Sequence, residues 1–191
     1  LNDKRYIKAG CAIDEDMMAL FEIWDGLDAK SRLDLGFIGS QQEKQRIGLK
    51  ALAAKVVGVD LPKPRSVTLS DWSCVPLTER QIAYCARDAW AGAAIARKLA
   101  ESNPNIFGTE SLMDILEESE LPISKLVQRQ RRRDNAKRDL GRLLGPFKGR
   151  SKVKLPKRVK RKAKNLREVI KSRIIEPSLV LGEDSFIDFD I

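Results

Sequence analysis

The spacing of apolar residues along the first hundred positions changes several times, and each change marks an expected element. Arg5-Tyr6-Ile7-Lys8-Ala9-Gly10-Cys11-Ala12-Ile13 suits a short strand, or the turn into one. Asp14-Glu15-Asp16 then caps a helix running to about Trp24, with Met17, Leu20, Phe21 and Trp24 on its apolar face. Leu33-Asp34-Leu35-Gly36 fits a second strand, and Gly48-Leu49-Lys50-Ala51-Leu52 opens an amphipathic helix ending near Gly58. Leu61 to Pro76 holds three prolines and reads as loop. Thr78, placed before Glu79 and an apolar-periodic run, starts a long helix that reaches about Glu101. Residues 1–103 therefore read as an α/β unit.

The pattern breaks at Asn103-Pro104-Asn105, the expected boundary with a second region, residues 104–191. Ser111 to about Glu118 and Leu121 to Leu144 have helical spacing, the latter in a very basic context. Gly145 to Lys164 combines glycine, two prolines and dense Lys/Arg, a composition expected to stay disordered without a partner. The second region is thus a basic extension, mostly helical or disordered. Gly182 to Ile191 alternates acidic and apolar residues and reads either as a docking peptide for a protein partner or as a frayed tail.

Charge sharpens this division. The net charge is +9, but residues 125–173 hold 21 Lys/Arg against Asp134, Asp139 and Glu168, a local net of +18 that leaves −9 elsewhere. An acidic body with a basic arm points to two separate tasks. No apolar run approaches 18 residues, so no membrane span is expected. The chain opens Leu1-Asn2-Asp3 with neither an initiator Met nor a signal-peptide pattern, and reads as part of a longer protein. Cys11, Cys74 and Cys85 are an odd number without C-x-x-C spacing, which argues against a disulfide framework or zinc cluster and for a reducing, intracellular compartment. There is no histidine, so Ser–His and Cys–His nucleophiles and His-ligated metals are excluded. Hydrolysis by such a chain is left with carboxylate-bound Mg²⁺ or Mn²⁺, hard cations that take oxygen ligands.

The most informative stretch is Pro76-Leu77-Thr78-Glu79-Arg80-Gln81-Ile82-Ala83-Tyr84-Cys85-Ala86-Arg87-Asp88-Ala89-Trp90-Ala91-Gly92. Tyr84 and Asp88 stand four apart, so a phenol and a carboxylate project from one helix face. With Leu69-Ser70-Asp71-Trp72-Ser73 before it, the stretch resembles the third motif of the four-acid, Tyr-variant 3′-5′ exonucleases, the Werner-type and ribonuclease D-like group. The sister group with a His in place of the tyrosine does not match. Lys8-Ala9-Gly10-Cys11-Ala12-Ile13-Asp14-Glu15-Asp16 is similar to the group's second motif, with Asp16 at the carboxylate position and Asp14 as the helix cap. Read without the resemblance, Asp16 is an ordinary first-turn carboxylate favoured by the helix dipole.

The resemblance implies an RNase H-like fold and hydrolysis at DNA or RNA 3′ ends by two Mg²⁺ or Mn²⁺ ions about 3.5–4 Å apart. Asp16 and Asp88 would ligate metal, and Tyr84 would orient the attacking water. The group's first motif, Asp-x-Glu on the first strand, occurs nowhere in the 191 residues. The resemblance therefore covers the last two thirds of such a domain, with the N-terminal strands missing and the chain inactive as given. Lys50 is placed near the substrate backbone, and Trp72 reads as a packing anchor.

Outside the resemblance, Arg131, Arg132 and Arg133, and Lys157, Arg158, Lys160, Arg161 and Lys162, are dense enough to bind phosphate backbones. Phe147 is the only aromatic among them, so stacking on bases is not expected. The same clusters fit a nuclear-localisation signal or a solvated tail. The alternative to an exonuclease is a non-catalytic nucleic-acid-binding protein that kept the scaffold and relies on its basic arm.

Overall fold

The computed structural model describes residues 1–24, 26–38, 46–107, 112, 116, 120–148 and 155–172. The helix expected from Ser111 falls largely outside them, and the acidic-apolar C-terminus entirely so. The chain forms two compact units, Leu1–Glu120 and Leu121–Glu176. The first continues past the Asn103-Pro104 break because Phe107, Leu112 and Leu116 are buried in its core.

That unit is α/β, with few strands. Strand β1 (Lys8–Gly10) leads into helix α1 (Ile13–Phe21), which crosses to the parallel strand β2 (Arg32–Asp34). The register pairs Lys8 with Arg32, Ala9 with Leu33 and Gly10 with Asp34. Short helices α2 (Leu35–Ile38) and α4 (Arg65–Thr68) flank α3 (Leu49–Val57). The long helix α5 (Glu79–Ser102) packs on β1 and α3, and α6 (Pro104–Phe107) follows it. Ala91, Ile95 and Leu99, one turn apart on α5, are buried with Leu52 and Val56 of α3 and Leu33 of β2. Gly92 lies against the sheet, where a Cβ would make ordinary contact, 3.4 Å, with the Ala9 carbonyl oxygen.

Several expectations hold. Helix α3 is flanked by Gly48 and Gly58, and the left-handed φ of 70° at Gly58 ends it as glycine readily does. Helix α5 starts at Thr78 and extends one residue beyond the expected end.

Others are corrected. Asp14 is not a cap: Ala12, in the left-handed conformation, occupies the N-cap position without a side-chain bond. Asp14 instead pairs with Arg32, 2.5 Å away. Helix α1 stops at Phe21, and Trp24 is exposed beyond it. Leu35 and Gly36 belong to helix α2 rather than to the second strand. Gly36 is required there, because a Cβ would sit 2.9 Å from the Ile47 carbonyl oxygen.

The second unit is a helical hairpin. Helix α7 (Ile123–Leu144), the basic helix expected from Leu121, continues into a 3₁₀ turn at Gly145–Phe147 and packs against helix α8 (Lys157–Lys171). The expectation of disorder from Gly145 to Lys164 thus fails over its described residues. Val159, Ala163, Leu166 and Ile170 recur at helical spacing, and Ala163 is buried. The density of Lys and Arg masks this narrow apolar edge in the sequence.

Arg32 holds the first unit across long chain separations. Only 4% exposed, its guanidinium lies 2.5 Å from Asp14 and 3.1 Å from Glu120, and it donates to the Ala29 carbonyl. The Glu120 carboxylate also accepts from the backbone N–H groups of Ser31 (2.9 Å) and Arg32 (2.8 Å). Arg32→Ala leaves two carboxylates without their cation. It is expected to lower unfolding free energy by about 3–5 kcal/mol in urea titration; a loss below about 1 kcal/mol would show that the cluster does not hold the fold.

Candidate functional site

The site is assembled around the first three turns of α5. Thr78 and Gln81 form a reciprocal cap: Thr78 Oγ1 accepts from the Gln81 N–H, and Gln81 Oε1 accepts from the Thr78 N–H at 2.9 Å. Gln81 is buried and does more than cap. Its Nε2 donates to Ser70 Oγ (3.1 Å) and to the Asp71 carbonyl (2.8 Å), fastening the preceding loop to the helix start. Asp71 tightens that loop by accepting from the N–H and hydroxyl of Ser73 at 2.8 and 2.6 Å. Trp72 is thereby set edge-on to Tyr84, with ring centroids 5.9 Å apart. Trp72 therefore packs on the very tyrosine that sequence singles out.

Tyr84 and Asp88 are both half-buried, one turn apart on a shared face of α5. Lys63 joins them. Its Nζ lies 3.2 Å from Asp88 Oδ2 and 5.7 Å from the centroid of the Tyr84 ring. Burial lowers the Lys63 pKa, but the hydrogen bond and charge of Asp88, with a further contribution from Tyr84, outweigh it and leave the ammonium more basic than usual. Lys63 sits between Pro62 and Pro64, whose rings restrict the backbone that delivers it. Sequence reading misses Lys63 by treating Leu61–Pro76 as plain loop; a lysine held between two prolines is the signal that could have found it.

The parallel strands direct two further groups to the same end of the sheet. Asp34, the last residue of β2, accepts from the Ala12 N–H (3.2 Å) and the Gly36 N–H (2.9 Å), and pairs with Arg46 at 3.0 Å. Burial nevertheless raises its pKa, against the pull of Arg46. Cys11, just after β1, has its thiol pushed up to about 11, first by burial and then by the charge of Asp34; Lys63, Arg46 and Asp88 also act on it. The end of β1 is thus within electrostatic reach of Asp88, Lys63 and Asp34 together.

The other sequence candidates are dispersed. Asp16 is exposed on α1, its carboxyl raised by partial burial and then by the charge of Glu15. No hydrogen bond or ion pair joins it to Tyr84 or Asp88 among the described residues. Lys50, on α3, is paired with Asp60 at 3.0 Å, both side chains exposed. Arg131, Arg132 and Arg133 lie on α7, and Lys157, Arg158, Lys160, Arg161 and Lys162 on α8, all in the second unit.

The carboxylates of Asp16 and Asp88 are oxygen donors of the kind Mg²⁺ or Mn²⁺ takes. They fit such a cation in type and fall short in number. Among the described residues no three acidic, thiol or imidazole groups converge on one point.

A family profile described as 3′-5′ exonuclease matches residues 1–102. Over 101 residues the chain is 36% identical to the bifunctional 3′-5′ exonuclease/ATP-dependent helicase WRN of Mus musculus; the aligned stretch is 52% of this chain and 7% of that protein. It is 32% identical over 93 residues to a 3′-5′ exonuclease of Arabidopsis thaliana, covering 48% of this chain and 32% of the relative. Exonuclease 3′-5′ domain-containing protein 2 of Homo sapiens is 32% identical over 99 residues, 50% of this chain and 16% of the relative. The match therefore spans a third or less of each relative's length. No solved structure matches the chain significantly.

The Cys11 environment gives a direct check on this geometry. With a thiol pKa of about 11, roughly one Cys11 in a thousand is ionised at pH 8. Iodoacetamide is expected to label the exposed Cys85 well before Cys11, with Cys11 labelling about tenfold faster per pH unit gained. Equal rates at pH 8, read by peptide mass spectrometry, would refute the partial burial of Cys11 beside these carboxylates.

Proposed function

Because this chain belongs to the 3′-5′ exonuclease family, we propose that residues 1–102 contribute one half of a metal-dependent site that hydrolyses nucleic-acid 3′ ends. The observation that carries this reading is the half-buried face shared by Tyr84 and Asp88, on which a cation, the Lys63 ammonium, already rests. In the proposal Asp88 and Asp16 provide carboxylate ligands to Mg²⁺ or Mn²⁺. Such a cation supplies Lewis acidity toward a phosphoryl oxygen and lowers the pKa of water.

The chain's own residues carry the remaining steps. Tyr84, held by Trp72, presents its phenol to orient the attacking water. Lys63, paired with Asp88, offers its ammonium to a phosphate oxygen. No Asp-x-Glu occurs in the 191 residues, so the remaining acidic ligands come from outside them, and residues 1–191 alone bind nucleic acid without cutting it. The chemistry at the phosphate is the same for DNA and RNA ends.

The full-length protein carrying this chain is expected to shorten a 5′-labelled oligonucleotide from its 3′ end with Mg²⁺ or Mn²⁺. Asp88→Ala should reduce that rate by about 10²-fold or more with binding retained, and Tyr84→Phe by about 10-fold. Undiminished cleavage by Asp88→Ala would remove the carboxylate from the mechanism.

One observation favours a second reading, a non-catalytic nucleic-acid-binding module on the same scaffold. Asp88 is already neutralised by Lys63, and no three ligands converge among the described residues. Tight binding by the full-length protein without any metal-dependent shortening would select it.

A further inference from the structure

We propose that the α7–α8 hairpin is a phosphate-backbone-binding module that uses one flank of α8, independently of any catalysis by the first unit. Lys157, Lys160, Lys164, Arg167 and Lys171 recur at i, i+3, i+7, i+10 and i+14. At 100° per residue this spacing confines all five to an arc of about 80°. They form a straight stripe of charge about 21 Å long. One strand of a duplex presents a phosphate roughly every 3.4 Å along the axis, so the stripe spans about six phosphates.

The stripe is free to act. All five side chains are exposed, and among the described residues none pairs with a carboxylate. The one acidic residue of α8, Glu168, borders the stripe one turn from Lys164 and Lys171 without forming an ion pair with either.

The partner follows from what the other faces of α8 do. Val159, Ala163, Leu166 and Ile170 form the apolar edge, and the helix packs against α7. A basic helix that enters a lipid surface needs its apolar face free, with aromatic or leucine anchors to insert. Here that edge is at least half-buried, and α8 contains no aromatic residue. A polyanion that demands only exposed cations is left, and a phosphodiester backbone supplies the regular spacing. With no aromatic to stack on bases, recognition is of the backbone and indifferent to sequence.

Of the arm residues singled out from sequence, Lys157 and Lys160 lie on this stripe. Arg158 and Lys162 point away from the stripe, whereas Arg161, one turn from both Lys157 and Lys164, borders it. This separation supplies the control. Fluorescence anisotropy with a random-sequence 20-base-pair DNA duplex, in EDTA and over a KCl series, compares the whole chain with two variants of equal net charge. The stripe variant is Lys160→Gln/Arg167→Gln; the control is Arg158→Gln/Lys162→Gln. The stripe variant is expected to weaken binding at least 10-fold at 100 mM KCl and to flatten the slope of log K against log salt by about 2. The control should change the slope by less than about 1, with circular dichroism confirming helix content in both. Equal losses in the two variants would reduce the effect to bulk charge and overturn the stripe. Binding to phosphatidylserine vesicles as tight as to the duplex would overturn it in favour of a membrane surface. Binding is read in EDTA on a chain that does not cut, so failure of the stripe and failure of the proposed cleavage are separately visible.

Discussion

A buried guanidinium, that of Arg32, is the constraint on which the first unit depends. It lies on β2, between the first turn of α1 and a carboxylate nearly ninety residues later in the chain. A charge at that depth is tolerable only because two carboxylates and a backbone carbonyl surround it. Asp14 is fixed by this requirement, and Asp16, two residues on along the same helix, inherits its place. Glu120 ties the end of the unit to β2 by the same means. Any carboxylate that α1 presents for chemistry is therefore set by a structural ion pair beside it.

The candidate site is built by the same economy of polar groups. Gln81 spends its amide nitrogen on Ser70 and Asp71 and its oxygen on Thr78, so one buried side chain fixes both the helix start and the loop. That loop delivers Trp72 to Tyr84, and the Pro62–Lys63–Pro64 segment delivers an ammonium to Asp88. The tyrosine and aspartate are thus held from two sides before any ligand arrives. Such preorganisation is what an electrostatic site needs, since little rearrangement is left for the moment of reaction.

Much of this was legible from residue order because the relevant rules are local. Thr78 and the run after it state where α5 begins, Gly58 states where α3 ends, and the four-residue spacing of Tyr84 and Asp88 places them on one face. Where local signals competed with a distant partner, the local reading failed. Asp14 resembles a cap by position, yet Arg32 takes its carboxylate. Leu35 and Gly36 extend an apolar run that looks like a strand, yet the chain turns into a helix beside the backbone of Ile47. In α8 the narrow apolar edge was hidden by surrounding charge and is expressed because α7 lies against it.

By itself, the order of residues determined the helices with strong periodicity, the Tyr84–Asp88 pair, the contrast between an acidic body and a basic arm, and the absence of histidine chemistry. These depend on spacing and composition, which need no knowledge of what lies across the fold. Only the tertiary structure decided that Lys63 faces Asp88, that Cys11 is half-buried within reach of Asp34 and Asp88, and that the arm is a folded hairpin with one ordered stripe of cations. Those outcomes depend on contacts between residues far apart in the chain, where burial and charge, acting through space, outweigh any local preference.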